Sequence, residues 1–165
     1  MTRAVALSLA NEADGFIHTM KFGNNGTAID PTGQIIYKSP NTSSIPDTSS
    51  DLYNSTYNKV VEELASGNTD PDRNFTEVIF GSTNFADIKV HALLDFDEPP
   101  SSFGDQESFD TATSNAGLFV FDELGLFTND NLMLTHVIFH PVQKSLNRVI
   151  EIVYMLRIQV NSCYR

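Results

Sequence analysis

The sequence predicts an α+β fold that is mainly β, an antiparallel sheet or sandwich with one amphipathic helix packed on it. Three observations predict this class. Short apolar runs rich in β-branched and aromatic residues recur along the chain, as is typical of strands. Turn-forming Gly, Asn and Pro residues separate these runs. One segment, residues 51–66, instead carries an apolar stripe at helical spacing.

The first two predicted strands are residues 16–22 and 34–38. Between them lies Gly23-Asn24-Asn25-Gly26, whose residues tolerate positive φ and therefore predict a tight turn. Pro31-Thr32-Gly33 is a second turn signal. Residues 39–50 are polar and contain Pro, so we expect an exposed, mobile loop there.

Residues 51–66 are predicted to form the helix. Ser and Asp residues at its start can cap the first turn, and Gly67 can end it. Lys59, Glu62 and Glu63 are expected to face water. The apolar stripe that would lie on the sheet consists of Leu52, Tyr53, Thr56, Tyr57, Val60, Val61 and Leu64.

The second half of the chain is predicted to be β. A polar, Pro-containing stretch, residues 98–114, interrupts it and is expected to be a second mobile loop. Because the chain has 165 residues, a single domain over residues 1–165 with its own core is the simplest organisation. The predicted strands are residues 75–80, 86–96, 118–127, 132–139 and 148–160.

Charge and cysteine content restrict the function classes. The formal net charge of −11 argues against a general nucleic-acid binder. Residues 132–165 contain four basic residues and one acidic residue, so an acidic body is joined to a mildly basic end. The single cysteine, Cys163, cannot form an internal disulfide, which fits synthesis in a reducing cytoplasm. We expect neither a signal peptide nor a membrane span, because every apolar run is short.

The candidates for catalysis or metal binding are weak. His136 and His140 would share one strand face, but no spacing supplies the further ligand that a metal needs. Asp122 and Glu123 are neighbours in a predicted strand, so we expect them to point to opposite faces and not to act together on a substrate. No nucleophile has a His or Asp context around it. The sequence therefore predicts a protein that is not an enzyme and has no cofactor and no metal.

Several motifs in a fixed order resemble one class of proteins. They are Phe-Gly-Asn-Asn-Gly-Thr at residues 22–27, Leu-Tyr-Asn-Ser-Thr-Tyr at 52–57 and Phe-Asp-Glu-Leu-Gly-Leu-Phe at 121–127, followed by His-Pro-Val-Gln-Lys-Ser at 140–145. This order is similar to that of virion structural proteins of tailed bacteriophages, in particular the tail-fibre and collar domain that docks fibres on a baseplate. We expect no fibre shaft after the last strand, and the 98–114 loop is an addition to the pattern. The resemblance therefore implies a small connector in the tail, baseplate or neck region.

The resemblance implies that the segment from residue 121 to 148 serves assembly with other virion proteins. The implied partners are baseplate, fibre, neck or capsid proteins in an oligomeric particle, with no nucleic acid and no membrane. The implied location is the virion, after synthesis in the bacterial host cytoplasm. A capsid decoration (cement) protein and a carbohydrate-binding β module are the alternatives. The expected assembly residues are Asp122, Glu123, Gly125, His136, His140, Lys144 and Arg148.

A second interpretation of these assembly residues remains open, since each polar one can equally satisfy buried backbone or cap a turn. Leu124, Gly125, Leu126 and Phe127 are expected in the core. Gly125 would allow close approach of a neighbouring strand.

Overall fold

The computed structural model describes residues 16–41, 51–81, 85–100, 120–144 and 148–159. Within these ranges the chain forms nine strands and no helix. The strands are β1 (Thr19–Gly23), β2 (Thr27–Ile29), β3 (Ile35–Tyr37), β4 (Ser55–Val60), β5 (Phe75–Phe80), β6 (Phe85–Leu94), β7 (Val120–Phe127), β8 (Met133–Gln143) and β9 (Ile150–Gln159).

The strands form two main antiparallel sheets and a small hairpin. The four-stranded sheet has the order β4-β1-β7-β8, and the three-stranded sheet has the order β5-β6-β9. β2 and β3 pair only with each other. Their turn places Gly33 at φ 85°, and Asp30 accepts hydrogen bonds from the backbone N–H groups of Thr32 and Gln34. The predicted turn at residues 31–33 is thus confirmed as the turn of this hairpin.

The two main sheets share one hydrophobic core. Alternate residues of β6 are fully buried, because every second side chain of a strand points to the same face. These residues join buried side chains of β1 and β7 in a single cluster, so the two sheets pack face to face as a sandwich. The core cluster includes Met20, Phe22, Ala86, Ile88, Val90, Ala92, Leu94, Phe121, Leu124 and Leu126. The predicted mainly antiparallel β architecture is confirmed.

The predicted helix at residues 51–66 is wrong. This segment instead contains β4, which pairs antiparallel with β1, followed by turns in which Ala65 and Asn68 donate backbone hydrogen bonds. Its β-branched and aromatic residues suit a strand, and pairing with β1 overrides the helical spacing. Leu64, which a helix would have buried, is 74% exposed, whereas Glu62 is buried.

The remaining predicted strands agree with the structure within a few residues, apart from the short β2, which was not expected. The two predicted mobile loops fall largely on residues 42–50 and 101–119, outside the described residues. The single-domain organisation stays a prediction. In the described parts of the chain, the structure contains no helix of the length and apolar character that crossing a bilayer requires.

Candidate functional site

Six of the seven expected assembly residues lie on or beside β7 and β8, at one end of the four-stranded sheet, and Arg148 lies next to the three-stranded sheet. β7 is buried along its whole length, and it carries Asp122, Glu123 and Gly125. β8, the edge strand next to it, carries His136 and His140. Lys144 follows β8 directly, and Arg148 precedes β9. Their surroundings differ so strongly that they do not form one common site.

Asp122 fixes the turn between β1 and β2. Its carboxylate accepts hydrogen bonds from the backbone N–H groups of Gly26 and Thr27, each at 2.8 Å, and from the Thr27 hydroxyl at 2.6 Å. Asp122 lies at the point where the β7–β8 ladder shifts register, between Phe121 and Glu123, and it has no paired residue in β8. A completely buried carboxylate is therefore satisfied by the chain itself.

Glu123 joins the same turn to the segment before β4. It accepts hydrogen bonds from the backbone N–H groups of Tyr53 at 2.9 Å, Asn54 at 2.9 Å and Asn25 at 3.2 Å. Burial by itself raises the pKa of Glu123, but the bond with His136 and these backbone donors outweigh it, and the pKa lies below its usual value. Glu123 is therefore ionised in the folded protein at neutral pH.

Asp122 and Glu123 both reach one turn from neighbouring positions of β7. They were expected to point to opposite faces and not to act together on a substrate. Their carboxylates bind consecutive backbone N–H groups, those of Asn25, Gly26 and Thr27. The register shift in β7–β8 at Asp122 accounts for this convergence, because the regular alternation of side chains fails there.

His136 completes the buried polar network. Its Nε2 lies 2.9 Å from Oε2 of Glu123, and both side chains have no exposed surface. Its Nδ1 accepts a hydrogen bond from the backbone N–H of Asn41 at 2.8 Å. Since Nδ1 is an acceptor, these partners assign the proton to Nε2, which donates to Glu123. Neither ring nitrogen is left to take a proton from a bound molecule.

Gly125 lies where the β7 and β8 backbones approach closely. A Cβ atom at this position would lie 2.6 Å from the carbonyl oxygen of Thr135 and 3.0 Å from the Phe127 ring. A side-chain carbon of Leu52, which lies in the segment before β4, would be 3.1 Å from the same Cβ atom. The expectation that Gly125 permits close approach of a neighbouring strand is confirmed, as is the burial of Leu124, Leu126 and Phe127.

Lys144 belongs to a separate charged cluster. Its side chain is fully buried, and burial lowers its pKa, while the carboxylates of Glu98, Asp95 and Asp97 oppose this shift. Glu98 also forms a short ion pair with Lys59, 2.6 Å between Oε1 and Nζ. Glu98 thus pairs with Lys59 and also favours the charged form of Lys144, two lysines from distant parts of the chain. The sequence did not indicate this arrangement.

His140 and Arg148 lie at the surface. The ring of His140 exchanges a hydrogen bond with the hydroxyl of Tyr37 at 3.1 Å, which ties β8 to the β2–β3 hairpin. Arg148 is exposed. His136 and His140 each contact the segment from residue 37 to 41, but they bind different groups and do not converge on a common point.

Several residues in long-range polar contacts were not predicted from the sequence. They include Asn41, which donates to His136, and Asp51, whose carboxylate lies 3.3 Å from the ammonium group of the buried Lys21. They also include Arg157, which binds Asp87 through two hydrogen bonds of 2.7 and 2.8 Å. These contacts join residues far apart in sequence, and no local pattern marks them.

Among the described residues, the structure contains no cluster of three or more His, Cys, Asp or Glu side chains that could hold a metal ion. The side chains of Asp122, Glu123 and His136 hold loops in place, because their polar atoms accept hydrogen bonds from backbone N–H groups of those loops.

Comparisons of the chain with protein-family models, with curated proteins and with solved structures find no match.

Proposed function

We propose that this chain is a non-enzymatic structural protein of a tailed-phage particle, a connector in the tail, baseplate or neck region where fibres attach. The order of motifs at residues 22–27, 121–127 and 140–145 supports this assignment through its resemblance to the fibre-docking domain. The proposed partners are other virion proteins, and neither nucleic acid nor a membrane is among them. The proposed location is the virion, after synthesis in the host cytoplasm.

The observation that carries the proposal is the use of the buried acidic residues in β7. In an enzyme, a carboxylate with a histidine partner needs access to substrate. Here Asp122 and Glu123 have no exposed surface, and backbone N–H groups from separate loops occupy their oxygens. Such bonds fix the shape of a scaffold, and a component that docks on neighbours benefits from loops held in one conformation.

The surface offers strand edges and apolar side chains for contacts with neighbours. Among the described strands, each main sheet ends in edge strands, and a strand edge can pair with another chain through backbone hydrogen bonds. Exposed apolar side chains occur on the hairpin at Ile36 and on β9 at Val153 and Met155. These features suit a protein that works by binding other proteins.

The carbohydrate-binding alternative receives less support. Glycan-binding modules need aromatic rings with a free face. The ring of Tyr53 already contacts the ammonium group of Lys38, 4.7 Å from its centroid, and the ring of His136 at 5.6 Å. The hydroxyl of Tyr37 is bonded to His140.

An amber codon early in the gene tests the proposal. In a host without a suppressor tRNA, we expect particles that lack fibres or tails and that a plasmid copy of the gene restores. Electron microscopy scores the particles, and immunogold labelling with an antibody to the purified protein locates the chain. Label on the head surface with intact tails would favour the decoration alternative. Normal, infectious particles that lack the protein would contradict both virion assignments.

A further inference from the structure

β9 is a ten-residue edge strand of the three-stranded sheet. It pairs with β6 through all ten residues from Ile150 to Gln159, and no other described strand lies on its opposite side. Its outward-facing residues are exposed, and its core-facing residues are only half buried. Among the described residues, the backbone groups on that side of β9 therefore have no strand to pair with.

The other edge strands carry devices that prevent pairing, whereas β9 carries only the charges of Glu151 and Arg157. β8 contains a register shift and Pro141, and the β2–β3 hairpin contacts it. β4 has a register shift opposite Gly23 and carries Lys59, and β5 has only six residues. Prolines, lysines, bulges and short length are the usual protection of an edge. The β9 sequence Ile-Glu-Ile-Val-Tyr-Met-Leu-Arg-Ile-Gln has neither proline nor lysine.

We propose that the edge of β9 binds the β9 edge of a second copy of this chain, antiparallel, around a two-fold axis at Tyr154. The two three-stranded sheets would then form one continuous sheet across the dimer. In this register Tyr154 lies opposite its own counterpart, Val153 lies opposite Met155, and Glu151 lies opposite Arg157. Such an interface is isologous, so every pair occurs twice.

Charge complementarity selects this register. Glu151 is the one acidic residue in residues 132–165, and within the described residues it has neither an ion pair nor a side-chain hydrogen bond. The guanidinium of Arg157 binds Asp87 through Nε and Nη2 and stacks on the Phe85 ring, 4.4 Å from its centroid. Among the described residues Nη1 has no hydrogen-bond partner, and the side chain is 54% exposed. Glu151 of the second copy would complete a row of alternating charges beside Asp87 and Arg157.

Neighbouring registers lose this match. A shift that keeps the same faces together moves Arg157 opposite Val149 or Val153 and places Glu151 opposite Met155 or Gln159. A one-residue slip places outward-facing residues beside core-facing ones. Only the register centred on Tyr154 pairs the two charges and the two exposed apolar side chains at once.

The core-facing row of β9 supports the same pairing. Ile152 would meet Leu156 of the second copy, and Ile150 would meet Ile158, so the apolar row continues across the interface. An apolar cavity of about 300 Å³ lies at this edge of the sandwich, between β8 and β9. Its lining includes Phe139, Val142, Ile150 and Ile152, and the second copy would cover it.

The first test is the mass of the purified full chain in solution by sedimentation equilibrium. We expect twice the 18.3 kDa of one chain. Glu151→Arg places two arginines opposite each other, and we expect the dimer dissociation constant to rise by at least about tenfold. Glu151 is exposed and without a partner among the described residues, so the variant should keep the wild-type circular dichroism spectrum. Glu77→Arg, an equally drastic change on β5 of the same sheet, is the matched control and should stay dimeric.

The second test concerns the register. In a Cys163→Ser background, Tyr154→Cys should be cross-linked to a dimer by a short bismaleimide, because the two copies of residue 154 face each other. Ile158→Cys, in the same row but distant from its own counterpart, should not be. A monomeric wild-type protein, a dimer that survives Glu151→Arg, or cross-linking at 158 instead of 154 would each overturn the proposal. The tests use the isolated chain, so their outcome is independent of the proposed role in a virion.

Discussion

The carboxylate of Glu123 and the imidazole of His136 form a fully buried pair, with 2.9 Å between Oε2 and Nε2. Three backbone N–H groups also donate to this carboxylate, those of Asn25, Tyr53 and Asn54. The pair thus connects β7 and β8 to two loops that precede them by many residues. A buried charge with this many donors is stabilising only while all of them remain in place.

Glu123→Gln is expected to destabilise the protein by about 3 kcal/mol, because the neutral amide turns a donor toward backbone N–H groups that need an acceptor. Urea unfolding followed by circular dichroism measures the change. Glu77→Gln is the matched control, since Glu77 is exposed and its one ion pair, with His91, lies at the surface. Equal unfolding midpoints for the two variants would contradict the structural role of Glu123.

Lowering the pH should reduce the free energy of unfolding, and protonation of Glu123 should account for part of this reduction. In the folded state its pKa lies below the ordinary value of 4.5, despite burial, because His136 and the backbone donors stabilise the anion. The stabilisation of the folded protein by ionised Glu123 is therefore fully present above the ordinary pKa of the group. It is lost as the pH falls through the folded-state pKa. The measurement is the free energy of unfolding of wild type and Glu123→Gln from about pH 7 to about pH 3. The difference between them should shrink at the acid end, and a constant difference would refute the assignment.

Asp122→Asn should weaken the hydrogen bonds that hold the turn between β1 and β2. An amide offers one acceptor oxygen in place of two, so the N–H of Gly26 or of Thr27 loses its partner, at a cost of about 1–3 kcal/mol. Amide hydrogen exchange should show faster exchange at these two residues. Asp30→Asn is the control, because Asp30 accepts similar backbone bonds in the exposed hairpin turn, where water can replace them. Unchanged protection of Gly26 and Thr27 would count against the role of Asp122.

Gly125→Ala should destabilise the sandwich by about 1–3 kcal/mol, the usual range for overpacking. The new methyl group would lie 2.6 Å from the Thr135 carbonyl oxygen, so β8 must move away from β7. Thermal unfolding detects this change. Gly67→Ala is the matched control, since its methyl group would meet only Val60 at an ordinary 3.5 Å. Similar melting temperatures for wild type and Gly125→Ala would show that β7 and β8 are not in close contact here.

The sequence by itself determined the positions of most strands. Alternating apolar residues in β6 and β9 and the apolar content of β7 are local properties, and period two suffices to recognise a strand that covers a core. It also indicated that Leu124 to Phe127 are core and that the polar residues beside them can satisfy buried backbone, which Asp122 and Glu123 do.

Only the tertiary structure decided the conformation of residues 51–66 and the partners of the buried charges. The spacing from Leu52 to Leu64 fits a helix, but β1 offers a strand edge, and the backbone bonds gained there outweigh local spacing. The donors to Glu123 come from residues 25, 53, 54 and 136, which chain folding brings together from three segments. No local pattern encodes such contacts, because they depend on how the sheets pack and where the β7–β8 register shifts.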